Sequence, residues 1–257
     1  MMENSTRPAS RLFLDLDLSA TTISIPAKGA HYLSHVLRLR PGDPVVVFNG
    51  RGDERRAIVT SLARHRPELE LRERLVPLQE PGFRLTLIQA LVKSDAMDLI
   101  VQKAVELGVC RLIAVKTQYS VIKLDAERTA RRVAHWSKIA QSACEQSGRH
   151  KPPQIQVADS LSECFSGLSP TLRIALLPDA RETFHDVGKP SDAACILVGP
   201  EGGFSASDLS AIEQAEFQKI WLSPRVLRAD TAAIAACSMA QLLWGDSPAT
   251  CESGRVG

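Results

Sequence analysis

No stretch of the 257 residues approaches the roughly 18 uninterrupted apolar positions that a membrane-spanning helix needs. The polar opening, Met1 to Arg11, carries no apolar core of a secretory signal, so none is expected. Six cysteines (Cys110, Cys144, Cys164, Cys195, Cys237 and Cys251) are scattered and never form a C-x-x-C pair. In a long chain without such a signal they read as reduced, mostly core-filling thiols, not as a structural zinc site. These absences point to a cytoplasmic protein without membrane or metal partners. Also missing are H-E-x-x-H, G-x-S-x-G and G-x-G-x-x-G, and neither Lys93-Ser94 nor Lys116-Thr117 follows the glycines of a phosphate-binding P-loop. Hydrolase and metalloenzyme readings therefore lack local support, although catalytic triads are assembled in space.

What is present is an ordinary globular composition, 44% hydrophobic and 23% charged, long enough for one large domain or two modest ones. The net charge of +2 conceals an asymmetry. Residues 81–157 hold 12 Lys/Arg against 6 Asp/Glu, net +6, whereas residues 158–257 hold 7 against 13, net −6. A basic middle suits a polyanion, and equally a solvated helix face.

The first 75 residues read as strands. Leu12, Leu14, Leu16 and Leu18 alternate with other residues at period 2. Pro44 to Phe48 and Arg56 to Thr60 flank the turn Asn49-Gly-Arg-Gly-Asp53 as a hairpin, and Glu68 to Leu75 alternates again. One helix is expected from about Ala30 to Leu39, stopped by Pro41-Gly42-Asp43. The pattern predicts a small β-barrel over residues 1–76, with Pro77 to Gly82 as a linker to a second domain, 83–257. There strand and helix alternate, which predicts an α/β domain with a parallel sheet covered on both faces. Expected strands are Phe83–Val92, Arg111–Lys116, Leu172–Leu177, Cys195–Val198 and Lys219–Leu222. Expected helices are Ser94 to about Leu107 (capped by Ser94, stopped by Gly108), Asp125 to about Gln146 (ended by Gly148), Ser205–Glu216 and Asp230–Trp244.

The most informative segment is Ile196-Leu-Val-Gly-Pro-Glu-Gly-Gly-Phe-Ser205. A buried strand enters a turn whose Gly199, Gly202 and Gly203 let backbone approach a ligand, and ligands of open α/β sheets sit at strand carboxyl ends. A tight turn without a ligand is the alternative. A second turn, Leu222-Ser-Pro-Arg-Val-Leu-Arg-Ala-Asp-Thr231, precedes a helix capped by Asp230 or Thr231 and opening with Ala232, Ala233, Ala235 and Ala236. Val226 and Leu227 between Arg225 and Arg228 suit a flat aromatic ligand and an anion. The alternative is a core-plugging leucine with solvated arginines. His31, His35 and Arg38 fall on one helix face. The two histidines have zinc-ligand spacing but no third ligand nearby, and Arg38 with Arg40 points to phosphate contact. Arg128, Arg131, Arg132 and Lys138 read as a solvated face, while the turn Gly148-Arg149-His150-Lys151 beyond a helix end is better placed for RNA.

At these residues the chain resembles the RsmE family, small-subunit ribosomal RNA methyltransferases of the trefoil-knotted SPOUT class that make N3-methyluridine. The likeness is carried by Gly199-Pro-Glu-Gly-Gly203, by Leu222-Ser-Pro-Arg-Val-Leu-Arg228 with its alanine-rich helix, by His31 to Asp43, by Lys93 to Gly108 and by Glu145-Gln-Ser-Gly-Arg149. The resemblance implies a PUA-like RNA-binding β-barrel followed by a knotted domain that binds S-adenosylmethionine (SAM), and a homodimer packed through the knots. It implies that SAM is held by Leu176-Leu177-Pro178, by Val198-Gly199-Pro200-Glu201-Gly202, and by Leu222, Ser223, Val226, Leu227 and Ala229. It implies contact with 16S ribosomal RNA, for which the candidates are His31, His35, Arg38, Arg40, Lys93 and Arg149. Arg228 is the expected stabiliser of negative charge on the base, and Glu201 the candidate for orientation or proton handling. The family usually has Gly where Ser223 stands, Thr at Ala229 and Glu at Asp230, and Cys is common where Ser147 stands. Three other readings remain at this point: a non-catalytic RNA-binding or ribosome-assembly protein on the same fold, a methyltransferase acting on another RNA base, and an enzyme using the Gly-rich turn for a nucleotide phosphate.

Overall fold

A computed structural model describes residues 10–64, 66–76, 82–120, 125–169 and 172–245. The chain divides into two compact units, one of Met1–Gln79 with Cys144–Lys151 and one of Glu80–Ala143 with Pro152–Gly257. The expected linker, Gly82 apart, and Cys251 lie outside the described residues.

In the first unit β1 (Ser10–Phe13), β2 (Thr22–Ser24), β3 (Pro44–Phe48), β4 (Glu54–Ser61) and β5 (Glu68–Arg74) form one sheet in the order β1-β3-β4-β5-β2. The expected hairpin is β3 and β4, antiparallel, closed by Asn49 N donating to Asp53 O at 3.1 Å. The leucine alternation reaches the core as expected. Leu12, Leu14 and Leu18 are buried with Val45, Val47, Val59, Leu69 and Leu71. Strand pairing nevertheless stops at Phe13, and the later leucines arrive on irregular backbone. β2 escapes the sequence pattern because three residues are too few for an alternation.

The expected helix differs. α1 (Ala27–His31) runs into a π-helical turn, Tyr32–Val36, and Arg38 takes a left-handed φ of 57°. Leu33 is fully buried and the Tyr32 hydroxyl is held by Glu145. These two anchors override the 3.6-residue spacing, and such wide turns recur at functional sites.

The second unit is a six-stranded, wholly parallel sheet. Its elements are β6 (Arg84–Ala90), α2 (Ser94–Glu106), β7 (Arg111–Val115), α3 (Ala126–Ser147), β8 (Gln154–Ala158), α4 (Leu161–Ser166), β9 (Leu172–Leu176), β10 (Ala193–Val198), α5 (Ala206–Gln214), β11 (Gln218–Ile220) and α6 (Ala229–Trp244). The order is β11-β9-β10-β6-β7-β8, and the last residues of α3 belong to the first unit. The α/β expectation holds because the strands are short apolar runs buried on both faces, such as Cys195 to Val198. β8 and α4 add to the expected elements. Both are short, and the Gln-Ile-Gln-Val of β8 lacks a continuous apolar run.

Helix starts show one success and two corrections. Ser205 caps α5 with a reciprocal box: its Oγ accepts from Asp208 N at 3.1 Å and Asp208 Oδ2 accepts from Ser205 N at 3.0 Å. Ser94 is instead the first helical residue of α2, and Lys93 holds the cap position without a side-chain bond. Likewise Arg228 holds the cap position of α6, while Asp230 Oδ1 accepts from Thr231 N at 2.6 Å inside the first turn. Gly108 and Gly148 end their helices at φ of 79° and 84°, which only glycine adopts freely. On α3, Trp136, Ala140 and Ala143 are buried, whereas Arg128 and Arg131 pair with Asp125 and Glu127 on an exposed face. That face is the solvated one the sequence suggests. Burial pushes the thiols of Cys164, Cys195 and Cys237 up to about 12, consistent with inert core cysteines.

Candidate functional site

Three turns leave the carboxyl ends of β11, β9 and β10, neighbours in the sheet. The turn after β9 is tied to β11, since Leu177 N donates to Ile220 O at 3.0 Å. The turn after β11 is tied to the loop beyond β9, since Trp221 N donates to Glu182 O at 2.7 Å. Leu176 and Leu177 are buried and Pro178 is exposed.

The turn after β10 is built from missing side chains. A Cβ on Gly199 would stand 3.0 Å from Phe204 Cε2, and one on Gly202 would stand 3.1 Å from Tyr119 Cβ. Gly203 holds φ +71° and donates its N–H to Pro200 O at 3.0 Å. Val198 and Pro200 are buried beneath this turn, and Glu201 is exposed on it. The result is bare backbone at the end of a buried strand, which fits a ligand held by backbone groups.

In the turn 222–228, Ser223 Oγ accepts from Arg225 N at 3.2 Å, a bond the glycine usual in the resembled family could not accept through a side chain. Val226 is 94% exposed, Leu227 and Leu222 are half-buried, and Arg225 and Arg228 are exposed. Leu227 thus turns inward while the arginines face solvent. Ala229, Ala233, Ala236 and Ala240 are buried. Their small size serves packing inside the unit, where Gln241 Nε2 also donates to Leu107 O at 2.7 Å.

One residue at this end of the sheet carries no sequence signal. Gln89 of β6 is fully buried, donates from Nε2 to Ala90 O at 3.0 Å and to Gly199 O at 3.5 Å, and leaves Oε1 without a partner among the described residues. A polar residue at one buried position of a strand has no period or motif to mark it.

The RNA candidates of the first unit divide. His31 and His35 are exposed, their rings stacked with centroids 4.3 Å apart and planes 6° from parallel, and His35 Nδ1 lies 2.8 Å from Ser34 Oγ. Arg38 and Arg40 are exposed, the latter's N–H donating to Asp43 Oδ2 at 2.7 Å. Arg149 differs from them: it is only 7% exposed, and its carbonyl accepts from Arg11 at 3.3 Å. Its side chain therefore presents little surface to solvent in this structure. In the second unit Lys93 is exposed just beyond β6. Among the described residues no three His, Cys, Asp or Glu side chains could hold a metal ion.

The comparisons with known proteins agree over most of the chain. A model of the RNA methyltransferase domain matches residues 79–241, and one of the RNA methyltransferase PUA domain matches residues 25–72. The ribosomal RNA small subunit methyltransferase E of Buchnera aphidicola subsp. Schizaphis graminum is 29% identical over 87% of this chain and 92% of its own length. That of Rickettsia conorii is 30% identical over 83% and 86%. Among solved structures, a Legionella pneumophila protein in complex with the bound cofactor SAM superposes with a TM-score of 0.88, at 29% identity over 94% of this chain and 100% of the other. The Neisseria gonorrhoeae ribosomal RNA small subunit methyltransferase E bound to SAM gives 0.85, at 33% identity over 93% and 99%. With both domains matched in order and the glycine turn in place, the chain belongs to the ribosomal RNA small subunit methyltransferase E family.

Proposed function

We propose that the protein uses SAM to methylate N3 of a specific uridine in 16S ribosomal RNA, in the cytoplasm and on the small ribosomal subunit. The observation that carries the reading is the Gly199–Gly203 turn, where two Cβ positions are closed off by Phe204 and Tyr119 at the carboxyl end of β10. Backbone of this turn, of Leu176 to Pro178, and of Leu222, Ser223, Val226, Leu227 and Ala229 would hold SAM, which supplies an electrophilic sulfonium methyl.

The remaining work falls to side chains. Uridine N3 carries a weakly acidic proton inside the pairing edge, so the base must be unpaired or extruded. Loss of that proton puts negative charge on the base oxygens. Arg228, exposed at the start of α6, is suited to meet that charge with a planar fork of donors. Glu201, exposed on the glycine turn, orients the base or handles the proton. His31, His35, Arg38, Arg40 and Lys93 supply exposed polar or basic contacts to RNA.

The same reading includes the trefoil knot and the homodimer of the resembled class. Leu242 and Leu243 on α6 are 84% and 37% exposed, which supports a covered face there. The test is titration calorimetry with SAM and, separately, ATP, joined to nucleoside mapping of 16S RNA from a strain lacking the protein. SAM binding and a missing N3-methyluridine are expected. ATP binding alone, or an unchanged modification map, would overturn the reading.

A further inference from the structure

Gln89 is the one buried polar side chain of β6, whose other polar residues, Arg84 and Thr86, are exposed or half-buried. Its neighbours Leu85, Leu87, Ile88 and Ala90 are all buried, and in register it faces Val198 of β10 on one side and Ala114 of β7 on the other. A buried amide has two donors and an acceptor oxygen to satisfy. Two backbone carbonyls, of Ala90 and Gly199, lie on the Nε2 side. Reversing the amide would set oxygen against oxygen, so its orientation is fixed by its surroundings. Oε1 is left buried and without a hydrogen bond among the described residues. An unpaired buried acceptor is destabilising, and a leucine or methionine of similar volume would remove the penalty. Stability of the free protein therefore gives no reason for the Oε1 acceptor here.

Ligand binding does. Gly199 is the first residue of the glycine turn, and Gln89 is the side chain that reaches its carbonyl from the adjacent strand. Resting on the reading that this turn holds SAM, we propose that Gln89 is a positioning residue for the cofactor. Its Nε2 pins the Gly199 carbonyl in the orientation the ligand needs, and its Oε1 is an acceptor completed only in the SAM-bound state. The residue trades stability of the free protein for order in the loaded one, as strained functional sites do.

The test compares the parent protein with Gln89→Leu and Gln89→Glu by titration calorimetry with SAM and by thermal melting without ligand. Gln89→Leu is expected to melt at or above the parent temperature in the free state and yet bind SAM about tenfold more weakly, with a less favourable enthalpy, as loss of one hydrogen bond implies. A merely structural glutamine predicts the reverse, a lower melting temperature with unchanged affinity. Gln89→Glu keeps the shape. Ionised, it sets an anion against the Gly199 carbonyl; protonated, it restores both a donor and an acceptor. Its SAM affinity should therefore recover as pH falls through its burial-raised pKa, while the parent affinity stays flat. This pH profile decides the matter even if the leucine variant fails to fold. Parent-like SAM affinity in Gln89→Leu, or a flat profile in Gln89→Glu, overturns this proposal alone. Absence of SAM binding by the parent overturns the reading of the turn and this proposal with it.

Discussion

The Tyr32 hydroxyl donates to Glu145 Oε2 at 2.5 Å, and Phe13 N donates to the same carboxyl's Oε1 at 2.9 Å. The π-helical turn, β1 and the last turn of α3 thus share one half-buried carboxylate within the first unit. Burial pushes the Glu145 carboxyl above the usual range, against the opposing hydrogen bonds from Phe13 and Tyr32 and the Arg11 charge. A carboxyl raised in the folded state contributes stability that is fully present below its unfolded pKa and is lost as pH rises through the folded value. Glu145→Gln should therefore flatten the decline in stability that begins near the ordinary carboxyl pKa of 4.5 and runs upward. Tyr32→Phe should cost about 1–3 kcal/mol at neutral pH, because a buried acceptor loses its donor. Urea denaturation across the acidic to neutral range measures both. A parental pH slope in Glu145→Gln would remove Glu145 as its source.

The glycine turn makes a steric prediction. Gly199→Val and Gly202→Val place branched carbons where Phe204 and Tyr119 already stand within 3.0 and 3.1 Å of a bare Cβ. Both variants should lose measurable SAM binding and melt below the parent, since the added carbons meet Phe204 or Tyr119 already in the free protein. Gly203→Ala is different in kind. It meets open space but keeps φ at +71°, so it should cost roughly 1 kcal/mol of stability and leave SAM binding nearly intact. Calorimetry with SAM separates the two classes. Equal binding by Gly199→Val and the parent would take this turn out of the site.

Legibility in the sequence follows the length of the pattern. The β3–β4 hairpin, the parallel strands and the Ser205 cap are readable because each repeats a period or a fixed spacing over several residues. β2, β8 and α4 are not, since three to six residues give no period to count. The Ser94 and Asp230 caps fail because a capping residue type within one turn of a helix start does not fix which residue is first. Among candidate site residues, the glycines are legible as bare backbone. The burial of Arg149 is not legible, because exposure of a turn arginine is a tertiary fact. Gln89 is invisible for the same reason: what marks it is an unpaired atom.

That difference between arginines is testable with RNA. Arg38 and Arg40 are exposed. Replacing both with Ala should weaken binding of a 16S RNA fragment and reduce the slope of log K against log salt by about 0.7–0.9 for each phosphate no longer neutralised. Arg149→Ala should instead lower the melting temperature, because the side chain is buried, and leave the salt slope at its parental value. Filter binding at several salt concentrations, beside a thermal melt, reads both effects. If Arg149→Ala is as stable as the parent and flattens the slope, the arginine reaches phosphate after all.

Arg228 concentrates the catalytic reading. It occupies the cap position of α6 with extended backbone (φ −63°, ψ 154°), exposed, at the end of the 222–228 turn. It forms no cap bond with its side chain, so its guanidinium is free of a helix-starting duty. A group that meets charge developing on the uridine oxygens acts on the transition state more than on the ground state. Arg228→Ala should therefore leave SAM affinity within about twofold of the parent and lower the single-turnover methylation rate by about 10²–10³, the range seen when one charge-stabilising donor is removed. Arg228→Lys should recover only part of that loss, because an ammonium cannot reproduce the planar fork. Bulky replacement of Ala236 is a poor probe of the proposed dimer, since Ala236 is fully buried within its own unit and a larger side chain there would disturb the core. Leu242→Glu on the exposed face of α6 is the better one. If that face pairs two chains, sedimentation should show the variant shifted toward monomer, with activity falling in proportion. A fully active monomer would detach catalysis from the dimer, and an Arg228→Ala enzyme turning over RNA at the parental rate would detach it from this arginine.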